Sequence, residues 1–165
     1  MFSILLLCTD RKDMYQTLTF YHSFFRWLVL ASLVLAIYRG CAGLIKNAAF
    51  SRSDNLVRHW TATIAHIQLM IGITLYAQSP VIKYFWNNKS AALKNLDTTF
   101  FALIHLILML TAIVLITIGS ALAKRRTADK EKFRTMLTWF AFALLIILAA
   151  IPWPFSPLAN RPYWR

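Results

Sequence analysis

Residues 97–123 read DTTFFALIHLILMLTAIVLITIGSALA, and this stretch decides the fold class of the chain. Asp97 is the predicted N-cap of a helix, followed by Thr98 and Thr99, and the apolar run behind them is long enough for one helix to cross about 30 Å of hydrocarbon. Lipid offers the backbone no hydrogen-bond partners, so a spanning segment is either a helix or a strand of a closed barrel. The period-two alternation of a barrel strand is absent, and we therefore predict a membrane helix.

Three further apolar stretches lie at about residues 15–38, 58–78 and 133–151. Prolines follow the second and fourth stretches and end them. The segment 81–94 is expected to form a short helix in the membrane interface. The chain of 165 residues is 59% hydrophobic with a mean hydropathy of +0.55, well above a soluble domain. Together these features predict an all-α fold: a single transmembrane domain, an integral membrane four-helix bundle of up-down-up-down order.

The first residues stand apart from this pattern. The run from Ser3 to Cys8 is too short for the core of a signal peptide, and no basic residue precedes it. We therefore interpret residues 1–13 as a candidate upstream extension, with Met14 as the alternative start of the protein.

The net charge of +12 comes mainly from the segments between the apolar stretches. The basic residues are not interleaved with stacking aromatic residues, so we expect contacts with lipid headgroups and no nucleic-acid partner. Ten basic residues fall on the side of the first and third loops: Arg39, Lys46, Arg52, Arg58, Lys124, Arg125, Arg126, Lys130, Lys132 and Arg134. Seven fall on the other side: Arg11, Lys12, Lys83, Lys89, Lys94, Arg161 and Arg165. The positive-inside rule then predicts cytoplasmic first and third loops, with both termini on the outer side.

The six acidic residues all lie in predicted loops or at helix ends: Asp10, Asp13, Asp54, Asp97, Asp129 and Glu131. This placement argues against a proton-coupled transporter and against a carboxylate-bridged metal site inside the bilayer. The ionisable side chains that remain within the apolar stretches are His22, Arg26, His66 and His105. Because such side chains are costly in a membrane, these four residues are the candidate site residues.

His22 and His105 each lie about eight residues, or about 12 Å, from the same face of the predicted bundle. The first and third helices of such a bundle are diagonal across its core, so one histidine can lie above a planar cofactor and one below. Haem b is the candidate, one per chain, because neutral imidazole is a standard axial ligand of haem iron. His66 lies deeper and is the alternative second ligand if the second helix tilts.

Arg26 follows His22 by four residues and therefore shares its face of the first helix. Its side chain leans toward the helix N-terminus, to the level of His22, where a haem propionate is a suitable anion. The alternative is that the histidines only form hydrogen bonds between helices and that Arg26 reaches the interface. In that case the protein is a cofactor-free accessory or assembly subunit of a membrane complex. A small transporter with a histidine relay is a third hypothesis, with little polar path to support it.

Several motifs resemble those of a known family. The segment His22-Ser23-Phe24-Phe25-Arg26-Trp27 resembles the HSxxRW opening of short bacterial membrane proteins, common in Bacteroidota, that are labelled cytochrome B. Residues 65–76, AHIQLMIGITLY, resemble the THxQLxIGLxLY pattern of their second helix. The likeness continues through His105-Leu106, residues 112–119 and Ile151-Pro152-Trp153-Pro154, and it covers roughly residues 14–154.

The resemblance implies a four-helix haem b protein of the bacterial inner membrane, with both termini in the periplasm if the charge rule holds. It carries over to His22, His66 and His105, which occupy histidine positions of the family. Some members have a further histidine where this chain has Ser120. The expected function is electron transfer, alone or within a larger respiratory or quinone-linked complex, with the lipid bilayer, other membrane subunits and quinone as partners. No catalytic residues are expected, since no nucleophile–base pair, zinc spacing or Gly-rich phosphate loop occurs.

Overall fold

The computed structural model describes residues 2–155, with side chains from residue 13 onward. Within this range the chain is all-helical and contains no strand. The helices are α1 (Phe2–Ile45), α2 (Arg52–Gln78), α3 (Pro80–Asn87), α4 (Lys89–Ala92), α5 (Leu96–Thr99), a π-helical turn (Phe100–Ile104), α6 (His105–Arg125) and α7 (Asp129–Ala150). The side chains of Asp10, Arg11, Lys12, Arg161 and Arg165, which enter the charge predictions, lie outside the described residues.

Three helices in the described part of the chain are long and apolar enough to cross a membrane. They are Asp13–Ile45 of α1, the continuous helix Leu96–Arg125 and α7. Large apolar side chains point away from the protein along them: Val34 is 56% exposed, Val114 53% and Leu145 63%. A soluble protein with this much exposed apolar surface would aggregate, whereas a bilayer covers it. The architecture is that of a membrane protein.

α2, which corresponds to the predicted apolar stretch 58–78, differs from the other three long helices. It is 27 residues long, yet it is not among the helices that are apolar enough to span. Polar side chains recur along it, among them Thr61, Thr63, His66 and Gln68, and they lower its mean hydropathy. The sequence prediction of four apolar spans is therefore confirmed for three.

The four long helices pack in a ring: α1 contacts α2 and α7, and α6 contacts the same two helices from the opposite side. α1 and α6 are therefore diagonal neighbours across the core. Along α1 and α2 the contacts run in opposite sequence order, from Arg39 with Asp54 at one end to His22 with Gln68 at the other. The core between the helices is apolar and includes Leu33, Ala36, Ala65, Ile116, Met136 and Phe140.

Two glycines allow α7 to approach its neighbours closely. A Cβ atom added at Gly43 of α1 would lie 2.5 Å from the ring of Phe133, which is buried. A Cβ atom added at Gly119 of α6 would collide with Cβ of Trp139. Small residues at helix contacts are typical of membrane bundles, where close van der Waals packing replaces the hydrophobic effect.

α1 extends to Ile45, beyond the predicted end near Tyr38. Asn47 adopts a positive φ of 46° after the last turn, and the Ala48 N–H donates to the Gly43 carbonyl at 3.0 Å. This is a Schellman-type end with asparagine in the left-handed position. Arg39 and Gly40 interrupt the apolar run near the predicted end, but the helix continues through residues 41–45 to this cap.

α2 begins at Arg52, earlier than the predicted start near Arg58. Ser51 and Asp54 form a capping box, in which each side chain accepts a hydrogen bond from the other's backbone N–H. Asp54 also accepts from Arg39 Nε at 2.7 Å and thereby ties α2 to α1. Burial alone would raise the pKa of Asp54, but the hydrogen bonds from Ser51 and Arg39 outweigh burial and hold that pKa below its usual value.

The predicted N-cap of the third membrane helix, Asp97, is wrong by two residues. Asn95 is the N-cap, and its side-chain oxygen accepts from the Thr98 N–H at 3.0 Å. Asp97 lies in the first turn instead, where a negative charge interacts favourably with the helix dipole.

The segment 81–94 is helical, as expected, but in two pieces, α3 and α4. Ile82 and Phe85 of α3 are buried against Ala102 of the π-helical turn, while Tyr84 and Trp86 are exposed. α3 therefore covers the end of the bundle at which α2 ends and the helix Leu96–Arg125 begins.

Candidate functional site between α1, α2 and α6

The structure brings two of the three predicted histidines together. The rings of His22 on α1 and His105 on α6 have centroids 6.4 Å apart and planes inclined by 70°. Because α1 and α6 are diagonal in the ring of helices, this pair faces the interior of the bundle from opposite sides. The contact between the rings places the two side chains at a common level of the bundle.

His105 has a defined tautomer. Its Nδ1 lies 2.8 Å from the carbonyl oxygen of Ala150 at the end of α7. A carbonyl only accepts hydrogen bonds, so Nδ1 carries the proton and donates it, and Nε2 of the neutral ring keeps its lone pair. Metal-ligating histidines almost always donate their other ring N–H in this way, which fixes the orientation of the ring.

The carbonyl of Ala150 is free for His105 because of the sequence that follows it. In a continuing helix the residue four positions later would donate to it, but that residue is Pro154, which has no N–H. Pro152 does the same for Leu148, whose carbonyl accepts from Trp153 Nε1 at 2.8 Å. Because of the two prolines, two backbone carbonyls accept hydrogen bonds from side chains and not from the helix backbone.

A π-helical turn, Phe100–Ile104, immediately precedes His105. The backbone N–H of His105 donates to the Phe100 carbonyl, five residues back. Such single turns inside α-helices occur frequently at functional sites. The rings of Phe100 and Phe101 lie 5.8 Å and 6.2 Å from that of His105, so the imidazole has aromatic surroundings. Residue patterns gave no signal for this turn.

Gln68 of α2 is the third polar residue of the site, and sequence reasoning assigned it no role. Its Nε2 donates to the backbone carbonyl of His22 at 3.0 Å and lies 3.4 Å from Nε2 of the same histidine. Two buried atoms here have no hydrogen-bond partner within the described part of the chain: Nδ1 of His22 and Oε1 of Gln68. Buried polar atoms are usually satisfied, so an unsatisfied pair marks a place for a ligand, a water or an ion.

Gly72, one turn after Gln68, gives the ring of His22 its space. A Cβ atom at this position would lie 3.2 Å from Cε1 and 3.6 Å from Nδ1 of His22. The glycine belongs to the motif in α2 that carries the family resemblance. Its role is steric: because Gly72 has no side chain, the backbone of α2 can contact the edge of the His22 imidazole directly.

Arg26 is half-buried on the His22 face of α1, as the four-residue spacing predicts. Its guanidinium carbon lies 5.5 Å from the centroid of the Trp27 ring. The positive charge acts electrostatically on both His22 and His105. The site is thus a pair of imidazoles with one fixed cation beside it.

His66 lies apart from the pair, on the exposed surface between α2 and α6. Its Nδ1 donates to the Ala62 carbonyl at 2.7 Å, and its Nε2 lies 3.2 Å from Oγ1 of Thr117. Both ring nitrogens thus have neighbours, and one contact bridges two helices.

Between residues 13 and 155, no group of three or more His, Cys, Asp or Glu side chains lies close enough together to bind a metal ion directly. Haem iron is bound differently, because the porphyrin supplies four ligands and the protein only the axial ones. A pair of imidazoles is therefore a sufficient donor set for haem and an insufficient one for zinc.

Comparisons of the chain with protein-family models, with curated proteins and with solved structures give no match. The function is therefore argued from the residues and from their geometry.

Proposed function

We propose that the chain is a membrane-embedded b-type cytochrome that carries one haem b for electron transfer, with His22 and His105 as the axial ligands. The observation that carries this proposal is the pairing of the two imidazoles, 6.4 Å apart, across the diagonal of the helix ring. The protein would act alone or as a subunit of a larger respiratory or quinone-linked complex of the bacterial inner membrane.

The separation of the two rings supports the proposal. Two imidazoles that bind opposite sides of one metal, each at about 2 Å, hold their ring centroids roughly 6 Å apart. The inclination of 70° between the planes is compatible with this arrangement, because each ring can rotate about its own bond to the metal.

Bound haem b would supply a one-electron redox couple. The residues around it have separate tasks. The Ala150 carbonyl holds the His105 ring and keeps its Nε2 deprotonated. Gly72 leaves space for the His22 ring, and Arg26 provides a positive charge suited to a propionate. Phe100 and Phe101 exclude water from the His105 side, and burial of this kind is one determinant of a haem's potential.

The proposal includes the membrane arrangement. α1, α2, the third membrane helix and α7 would cross the bilayer as an up-down-up-down bundle, with α2 included because Ile67, Met70 and Ile73 are exposed along it. The positive-inside rule would place the first and third loops in the cytoplasm and both termini in the periplasm. The histidine pair would then lie near the periplasmic face, where a periplasmic or quinone partner can exchange electrons.

The second candidate is a cofactor-free accessory or assembly subunit. The contact between His66 Nε2 and Thr117 Oγ1 favours it, because it joins α2 to α6 in the way that a structural histidine does. In this reading His105 would serve only to join α6 to α7. His66 also remains the alternative ligand within the cytochrome proposal, and it would have to leave Thr117 to bind iron.

An absorption spectrum separates the two candidates. The full chain is expressed with an adequate haem supply, purified in detergent, and reduced with dithionite. The cytochrome proposal predicts a b-type spectrum and a pyridine haemochrome of about one haem per chain. A colourless protein with native helix content would refute it and leave the accessory subunit.

A further inference from the structure

A cavity of about 250 Å³ lies at the opposite end of the bundle from the histidine pair. It opens where the first loop, the start of α2, the end of α6 and the first turns of α7 meet. We call it the loop-end pocket, and its lining residues are Phe50, Ser51, Arg52, Asn55, Ala123, Lys124 and Lys132. The electron-transfer proposal gives it no role.

The lining of the loop-end pocket contains three cations, Arg52, Lys124 and Lys132, and no carboxylate. Lys132 is held in place by Asp129 at 2.9 Å and by the Phe50 ring, whose centroid lies 5.7 Å from its ammonium. Even with Asp129 counted, the pocket carries an excess of positive charge. An anion is therefore the class of ligand that it would take.

Two neighbouring polar groups are already occupied and do not neutralise this charge. Asp54 accepts from Arg39 through Oδ1 and from Ser51 through Oδ2. Asn55 accepts through Oδ1 from Arg58, at 3.1 Å and 2.8 Å. The acceptor oxygen of Asn55 is therefore engaged, and the donor group of its amide remains available to a ligand in the pocket.

Size and position narrow the class of anion. The cavity lies slightly below the roughly 300–1,000 Å³ of pockets that hold drug-sized ligands, and it has room for a phosphate group. The pocket lies just beyond the apolar parts of α6 and α7, at the level expected for lipid headgroups. Basic pockets between membrane helices are a known kind of lipid headgroup site.

We propose that the loop-end pocket binds the phosphate of an anionic phospholipid, with Arg52 and Lys124 as the principal cationic contacts. The acyl chains of such a lipid would lie along the exposed apolar side chains of the membrane helices, and free phosphate has no such chains. This site is independent of haem, so the haem content of the protein does not enter its test.

The test uses the full chain in detergent and a phospholipid titration. Wild type, the double variant Arg52→Gln/Lys124→Gln and a control, Lys89→Gln/Lys94→Gln, are titrated with phosphatidylglycerol and with phosphatidylcholine. Bound lipid is counted by native mass spectrometry. All four substituted residues are exposed, so both variants should fold, and the control removes the same charge from the opposite end of the bundle. A parallel titration uses inorganic phosphate.

Loss of each cation should weaken phosphatidylglycerol binding about fivefold, so the double variant should lose roughly 25-fold, while the control changes less than twofold. Phosphatidylcholine should bind poorly to all three proteins. Equal binding of phosphatidylglycerol by wild type and the double variant would overturn the proposal. So would a pocket that takes inorganic phosphate but shows no preference for the anionic lipid.

Discussion

Nδ1 of His105 donates a hydrogen bond of 2.8 Å to the carbonyl oxygen of Ala150, and this bond joins α6 to the end of α7. The acceptor is available because Pro154 cannot supply the helical N–H that would otherwise occupy it. The same bond leaves Nε2 of His105 with its lone pair, on a ring whose centroid lies 6.4 Å from that of His22. One sequence feature at the C-terminal end of α7 thus fixes the tautomer of a histidine on a different helix.

This bond should contribute to stability even without a cofactor. We expect His105→Leu to lower the stability of the haem-free protein by about 1–3 kcal/mol, because the buried carbonyl loses its donor. Thermal unfolding in detergent, followed by helix circular dichroism, measures the change. His66→Leu is the matched control: His66 is exposed, so its substitution should cost much less. Equal losses in the two variants would contradict the assigned role of the Ala150 bond.

Gly72 should control the position of His22. Gly72→Ala puts a methyl group 3.2 Å from Cε1 of His22, which requires a shift of a few tenths of an ångström, whereas Gly72→Leu displaces the ring. In the haem-loaded protein we expect altered electron paramagnetic resonance g-values for alanine and loss of haem for leucine. Ala77→Ser, at an exposed position of α2, should leave the spectrum unchanged. A wild-type spectrum for Gly72→Leu would show that His22 does not depend on this glycine.

Gly119 should be essential for the contact between α6 and α7. Gly119→Ala forces its new methyl group against Cβ of Trp139, which is close to the backbone and cannot rotate away. We expect a loss of about 1–3 kcal/mol, the usual cost of overpacking, measured by thermal unfolding in detergent. Ala121→Ser, exposed on the same helix, is the control. A Gly119→Ala protein as stable as the control would mean that α6 and α7 are farther apart than described.

Asp54 should make stability depend on pH at the loop end of the bundle. Its pKa in the folded protein is lowered by hydrogen bonds from Ser51 and Arg39, against the effect of burial. The stabilisation is therefore fully present above the unfolded pKa of about 3.9 and is lost as pH falls through the lower folded value.

Asp54→Asn should consequently lower the free energy of unfolding at pH 7 by about 1 kcal/mol, which is measured as a lower melting temperature. The loss is small because the Arg39 partner is partly exposed and screened. The difference from wild type should shrink below pH 4. Asp13→Asn, which removes an exposed carboxylate from α1, should have no such pH-dependent effect. A difference for Asp54→Asn that stays constant between pH 7 and pH 3 would rule out this linkage.

The common level of His22 and His105 was inferred by counting about 1.5 Å per residue from an assumed helix start near residue 14, whereas α1 begins at Phe2. Which histidines face each other was not predictable to the same degree. His66 is on a helix whose rotation follows from its packing against α1 and α6, and counting residues says nothing about that rotation. The structure turns Gln68 and Gly72 inward and His66 outward.

The positions of the helix ends and of the π-helical turn could not be predicted from the apolar pattern. Apolar runs mark the part of a helix inside lipid, while Asn47, Ser51 and Asn95 end or begin helices by local hydrogen bonds outside it. The π-helical turn before His105 depends on tertiary packing and has no residue signature. In contrast, Pro152 and Pro154 were predicted as helix breakers, while their effect on the carbonyls of Leu148 and Ala150 depends on which side chains the fold brings there.

The most direct test of the electron-transfer proposal is haem content across a histidine series. Wild type, His22→Ala, His105→Ala and His66→Ala are purified after expression with haem, and their pyridine haemochromes are compared at equal protein concentration. We predict about one haem per chain for wild type and His66→Ala, and near-complete loss for the other two. Haem retained by both His22→Ala and His105→Ala, or lost only in His66→Ala, would contradict the assignment of the ligand pair.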